Sequence, residues 1–272
     1  DLTITNIWTD WPKYFKSTHK TTKAFKRRVV GKKIENVTRR GKNILIYLSD
    51  THILLVHQKM TGHLLIGNWI KTKNIKQIPE GWETQTWIPR DCENKLLMDP
   101  KNRFIRFIFY LSSGEELAFS DLRRFGKIIC GTKSKILHLP EIEKLGPEIT
   151  DPKLTAQKFT EIIRTRNMKS RGRSQNNKPA SSPARRNPAP EGSQSTKQQK
   201  SEVTKPSRCG IPIKTALLNQ TIITGIGNIY ADETLWQSKI HPLTKIENLT
   251  DTNLKDIHKN ARAILKIAIK KG

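Results

Sequence analysis

Three features of this 272-residue chain predict an α+β protein of two domains. Up to about residue 139, short apolar runs alternate with turn residues, the pattern of many short β-strands. Beyond about 140 the apolar spacing lengthens to three and four residues, which is helical. Within that second half, Ile222–Glu233 sets Gly225, Gly227 and Asn228 at the mouth of a helix. There, free backbone N–H groups and the helix dipole favour an anion.

The elements follow in order. Leu2–Trp8 reads as strand from the first residues. Asn43–Leu48 and His52–His57 flank Ser49-Asp50-Thr51, a hairpin signal, and Gly62–Gly67 is expected to continue the meander. Residues 70–98, rich in Lys, Trp and Pro, read as a long inserted loop. Arg103–Tyr110 and Glu116–Phe119 surround Ser112-Ser113-Gly114, a second hairpin. Many short strands with regular turns point to a sandwich or a barrel. Thr150-Asp151-Pro152 is a start signal for a helix through Ile163. Shorter helices are expected at 213–220 and 228–238. Thr250 then caps a longer one carrying Leu254, Ile257, Ala261, Ile264, Leu265 and Ala268.

Met168–Gly210 interrupts this pattern. It contains no Leu, Ile, Phe, Tyr or Trp and has a net charge of +8, so it cannot bury enough apolar surface to offset its ordering entropy. It is expected not to fold, as a tolerated surface insertion or a basic tether.

Charge narrows the function. Lys and Arg total 50 against 24 Asp and Glu, a net +26, which favours polyanionic partners and salt-sensitive association. No apolar run approaches the roughly 18 residues of a spanning helix, so no membrane role is expected. Three widely spaced cysteines (Cys92, Cys130, Cys209) form neither a disulfide framework nor a C-x-x-C knuckle, and no metal ligand is expected in the chain. A reducing compartment fits, and cytoplasm or nucleoid is expected. The glycine turn is not a dinucleotide fingerprint: Tyr230 occupies the third glycine position and no second βαβ unit follows.

Five motifs in order then carry a resemblance: Arg39-Arg-Gly-Lys42, His57-Gln-Lys-Met-Thr-Gly62, Asp121-Leu-Arg-Arg-Phe-Gly126, Leu145-Gly-Pro-Glu148, and Lys214-Thr-Ala-Leu-Leu-Asn-Gln220 with Gly225-Ile-Gly-Asn-Ile-Tyr-Ala-Asp-Glu233 and Ile240-His-Pro242. The chain resembles the formamidopyrimidine-DNA glycosylase and endonuclease VIII family, nearer the former branch. The resemblance implies a β-sandwich domain over 1–139 and a helix–two-turns–helix domain over 140–272, with DNA in a basic cleft between them. It implies base-excision repair: removal of oxidised purines such as 8-oxoguanine and formamidopyrimidines, then β- and δ-elimination at the abasic site. The implied partner is double-stranded DNA with oxidised bases or abasic sites, bound by a monomer without an external cofactor.

The family's pattern also assigns residues. Met60, Arg123 and Phe125 fall where the family fills or wedges the gap left by an everted nucleotide, a task suited to a thioether, a planar cation and an aromatic ring. Lys42 matches a lysine near the lesion. Lys214, Asn228 and the glycines Gly225 and Gly227 match positions that grip the phosphate backbone. Tyr230 reads as core or phosphate partner. Asp232 and Glu233, adjacent on a helix, read as structural acceptors rather than a catalytic pair.

The chain also departs from the family pattern. The nucleophile is an N-terminal proline assisted by a neighbouring glutamate, and the family carries a four-cysteine zinc finger with structural zinc. Neither stands in this chain, which is expected to be truncated at both ends, without its N-terminal helix, and to bind DNA without turnover. Pro12 cannot substitute, because its nitrogen is an amide. Asn219 stands where an acid is usual and Asn102 where a histidine is common. Two other readings are a catalytically silent damage binder and a structural nucleic-acid binder sharing only the helix–two-turns–helix. The latter leaves Met60 and Arg123-Arg124-Phe125 without a role.

Overall fold

The computed structural model describes residues 2–12, 21–74, 80, 87–175 and 210–271, with the backbone alone at 74 and 166–175. The chain divides into two compact units, after Leu145, six residues beyond the change of periodicity at 139.

In the first unit the order is β1 (Leu2–Thr9), α1 (Thr22–Val29), β2 (Lys33–Arg40), β3 (Asn43–Leu48), β4 (His52–His57), β5 (Gly62–Gly67), β6 (Trp69–Lys71), β7 (Trp87–Pro89), β8 (Ile105–Leu111), β9 (Glu116–Asp121), β10 (Lys127–Thr132), α2 (Lys133–Leu137) and α3 (Pro140–Glu143). Eight strands line up as β10-β4-β3-β2-β1-β8-β9-β5. β1 is the joint: Leu2 and Thr3 pair with β2, whereas Ile4 to Thr9 pair with β8.

The strands alternate as half-buried strands must, but both faces are covered. Ile46, Leu48, Leu54 and Val56 share one core with Phe107, Phe109, Phe119 and, from α1, Phe25 and Val29. The intervening Leu45, Ile53 and Leu55 pack outward against Ile136 and Ile142 of α2 and α3. That packing draws α3 into the first unit. Opposite, Ile108 and Ala118 meet Trp69, Trp87 and Leu97. A register shift between Ile105 and Phe107 explains why Ile105 joins this outer layer while Phe107 faces the core.

The hairpin of β3 and β4 stands as expected, with Asp50 and Thr51 both left-handed as a tight turn requires. Two expectations are corrected. Gly62–Gly67 does not continue the meander: β10 takes the edge of β4, and β5 pairs with β9, Gly62 opposite Asp121. Alternation tells a strand which face to bury, not which neighbour to pair with. Residues 70–98 are also more than a loop, since β6 and β7 form a ribbon whose tryptophans cover the sheet, Trp87 meeting Trp8 edge-on at 5.1 Å. Residues 75–79 and 81–86 lie outside the described residues.

The second unit holds α4 (Ala156–Gln175), α5 (Ile213–Leu218), α6 (Asn228–Gln237) and α7 (Asp251–Lys271) around Phe159, Ile163, Leu217, Ile223, Leu235, Leu254, Ile257 and Leu265. The α4 start signal is corrected: Asp151 receives the Lys153 N–H in a turn, and Thr155 caps the helix through the Lys158 N–H. The backbone of α4 runs on to Gln175, eight residues into the segment expected not to fold, and 176–209 lie outside the described residues. α7 opens as expected on Thr250, which exchanges hydrogen bonds with Asn253 in a reciprocal cap.

Candidate nucleic-acid interface

In the first unit two turns rise beside one another. One follows β4 and carries Met60; the other follows β9 and carries Arg123 and Phe125. Met60 is 71% exposed and Phe125 59%, so the neighbouring turns each present a large apolar side chain outward. Arg123 Nη1 lies 3.5 Å from Met60 Sδ, so two of the three expected wedge residues touch. Each turn contains a left-handed non-glycine residue, Lys59 at φ 58° and Arg124 at φ 57°. Such positions persist only where surrounding contacts hold them. The Lys59 N–H donates to His57 Nδ1 at 3.0 Å, and the Arg124 guanidinium pairs with Asp10 at 3.1 Å. Asp10 is itself anchored by Arg106 at 2.7 Å, so the Arg124 guanidinium is tied to Asp10 while that of Arg123 reaches Met60.

Beneath the turns lies Asp121, fully buried, whose carboxylate receives Thr61 Oγ1 and the N–H groups of Arg123 and Gly126. Two glycines let the turns approach. A Cβ on Gly62 would meet Phe119 Cζ and the Gln58 carbonyl at 2.5 Å, and one on Gly126 would strike the same ring. A depression of about 460 Å³ opens beside Met60, between Thr61, Arg103, Phe104 and Leu122.

Lys42 is exposed at the start of β3, after the left-handed Gly41, and partial burial of its amine lowers its pKa. The register sets His57 between Asn43 and Lys127. Burial first, then the charges of Lys59 and Lys42, pushes the imidazole down to about 4, so at neutral pH it is uncharged and free to accept the Lys59 N–H. Asn102, at the position where a histidine is common, is buried and receives His63 Nε2 at 2.6 Å.

In the second unit α5 and α6 are joined by the glycine turn. Gly225 sits at φ 99°, a conformation open to glycine, and its N–H donates to Gln220 Oε1 at 3.1 Å. Gln220 Nε2 binds the Ile226 carbonyl at 2.8 Å, so this one side chain braces the whole turn. Gly227 is the extended N-cap of α6, and the first intrahelical amide is that of Ala231, donating to the Gly227 carbonyl. The amides before it point out of the helix mouth beside the exposed Asn228. Lys214 is held by both oxygens of Asp232, at 2.7 and 2.9 Å. Asp232 is thus a structural acceptor, as expected. Tyr230 is exposed rather than core. The site residues therefore form two groups, Lys42, Met60, Arg123 and Phe125 in the first unit, and Lys214, Gly225, Gly227 and Asn228 in the second.

Sequence reasoning assigned no role to His57, Thr61, Asp121 or Gln220. All four stand inside quoted motifs; His57 and Gln220 meet partners two to six residues on, whereas Thr61 and Asp121 meet across 60 residues. Among the described residues no group of three or more His, Cys, Asp or Glu could hold a metal, so the zinc that the resemblance implies has no donor set in them. No helix of the described residues is long and apolar enough to cross a membrane.

Comparison with known proteins agrees on both units. Residues 1–128 match the formamidopyrimidine-DNA glycosylase N-terminal domain, and residues 188–272 match the formamidopyrimidine-DNA glycosylase H2TH domain. A formamidopyrimidine-DNA glycosylase of Oceanobacillus iheyensis is 28% identical over 271 residues, covering 99% of this chain and 70% of the relative. That of Bacillus cereus strain ATCC 10987 is 27% identical over 270 residues, covering 99% and 71%. Among solved structures, the Lactococcus lactis Fpg in complex with abasic-site DNA superposes with a TM-score of 0.64 at 21% identity, over 98% of this chain and 71% of that one. The same protein with FAPY-dG DNA gives 0.64, 21%, 98% and 73%. At that identity the structural match speaks for the fold, while the domain models and relatives speak for descent. The chain belongs to the formamidopyrimidine-DNA glycosylase family, a family of base-excision repair enzymes.

Proposed function

We propose that this chain reads damaged duplex DNA for a bifunctional glycosylase and abasic-site lyase that removes 8-oxoguanine and formamidopyrimidines and cleaves the strand by β- and δ-elimination. The observation that carries this reading is the exposed trio Met60, Arg123 and Phe125 on two braced turns. Everting a nucleotide costs a few kcal/mol of stacking and pairing, least at a damaged base. Side chains that occupy the vacated space offset that cost. Arg123 can also hydrogen-bond the edge of the base left opposite.

The second unit supplies the grip. Backbone amides at the mouth of α6, the Asn228 amide and Lys214 offer a phosphate one charge and several donors, positioning the strand without reading its sequence. Lys42 adds a cation near the lesion, and partial burial lowers the pKa of its amine. The chain acts as a monomer, in the nucleoid or cytoplasm where its substrate lies.

Equilibrium binding to an 8-oxoguanine duplex and its undamaged counterpart at one salt concentration tests this. Preference for the lesion by about tenfold or more is expected, falling toward unity in Met60→Ala and Arg123→Ala. Equal affinity of the unsubstituted chain for both duplexes would leave only a structural nucleic-acid binder.

A further inference from the structure

The two turns that carry the trio are tied together by one polar knot. Asp121 Oδ1 receives Thr61 Oγ1 at 2.5 Å and the Arg123 N–H at 3.2 Å, while Oδ2 receives the Gly126 N–H at 2.7 Å. The Arg123 N–H is shared, because it also points at Thr61 Oγ1 at 3.2 Å. Thr61 is the residue next to Met60, so its hydroxyl joins the backbone of one wedge turn to that of the other. Both turns also lean on one ring, Phe119, through Gly62 and Gly126. Moving either turn alone would uncouple a fully buried carboxylate from a donor, which is costly.

We propose that Thr61, acting through Asp121, is a positioning residue that makes Met60 and the Arg123–Phe125 turn enter a duplex as one unit rather than in separate steps. The proposal rests on the base-excision reading above. Thr61 itself is only half-buried and is not needed to fill the core, so it can be changed without emptying the space around Phe119.

The test is the ratio of affinities for undamaged and 8-oxoguanine duplex, measured for the chain, Thr61→Val, Thr61→Ala and Thr61→Ser. Each is combined with Met60→Ala, Arg123→Ala and both. In the unsubstituted background the Met60 and Arg123 effects should be strongly non-additive, because the groups act together. Thr61→Val and Thr61→Ala should each lower lesion preference about tenfold, the scale of one hydrogen bond to a buried carboxylate, and make the two effects additive. Thr61→Ser, which keeps the hydroxyl, should restore both preference and non-additivity. The salt dependence of binding should not change, since Thr61 neutralises no phosphate. A merely structural role would move the melting temperature and leave the coupling intact. Preference and non-additivity surviving in Thr61→Val and Thr61→Ala would overturn the coupling. An absence of lesion preference in the unsubstituted chain would instead overturn the base-excision reading.

Discussion

His57 shows how one residue can set a turn. Its Nδ1 can accept the Lys59 N–H only while the ring is neutral, and burial with the neighbouring lysines keeps it so down to about 4. The unfolded ring, with its ordinary value of 6.5, takes a proton that the folded one refuses. Its contribution to stability is therefore full above about pH 6.5 and is lost as the pH falls toward 4. Urea midpoints across that window should decline more steeply for the chain than for His57→Gln, while at pH 7 the variant should be less stable by about 1 kcal/mol through the lost acceptor. Parallel curves would mean that the ring does not titrate between those limits. Only part of this was legible in the sequence. Met60 and Phe125 stand exposed as their motifs suggested, but His57 reads as a strand end until the register sets Lys127 and Asn43 against it. Asp121 reads as a turn residue until Thr61 arrives from 60 positions away.

Among the elements, the glycine turn and the α7 cap offer a controlled contrast. Gly225→Ala forces a Cβ into a left-handed conformation and should cost about 1–2 kcal/mol. Because that turn sets the mouth of α6, it should also weaken DNA binding. Thr250→Ala removes the cap of α7 and should cost about 1 kcal/mol with DNA affinity unchanged. Calorimetry with binding on the same samples separates them, and equal losses of affinity in both would show that the turn has no special part in binding. Strong local signals predicted α5, α6, α7 and the β3–β4 hairpin to within a few residues. α1 passed unnoticed because Phe25 and Val29, its buried pair, are surrounded by Lys23, Lys26, Arg27 and Arg28. The start of α4 was misplaced because Asp151 and Thr155 both bear capping side chains, and only packing of Leu154 and Phe159 into the core selects the second.

At the scale of the molecule, a charge of +26 makes association with DNA steeply salt-dependent. The logarithm of affinity should fall linearly with that of salt, and Lys214→Ala should reduce the slope by about 1. An unchanged slope would mean that Lys214 stays with Asp232 and leaves the phosphate to the α6 amides. Composition alone determined the polyanionic partner, and residue order alone determined the family, since charge and short motifs are written locally along the chain. Periodicity determined where strands give way to helices. Only the tertiary structure decided that β5 joins β9, that Trp69 and Trp87 roof the sheet, and that Thr61 and Asp121 knot the two wedge turns. The reason is physical. A strand's alternation and a carboxylate's valence specify that a partner is needed, whereas which partner meets them is settled by how the whole chain closes around its cores.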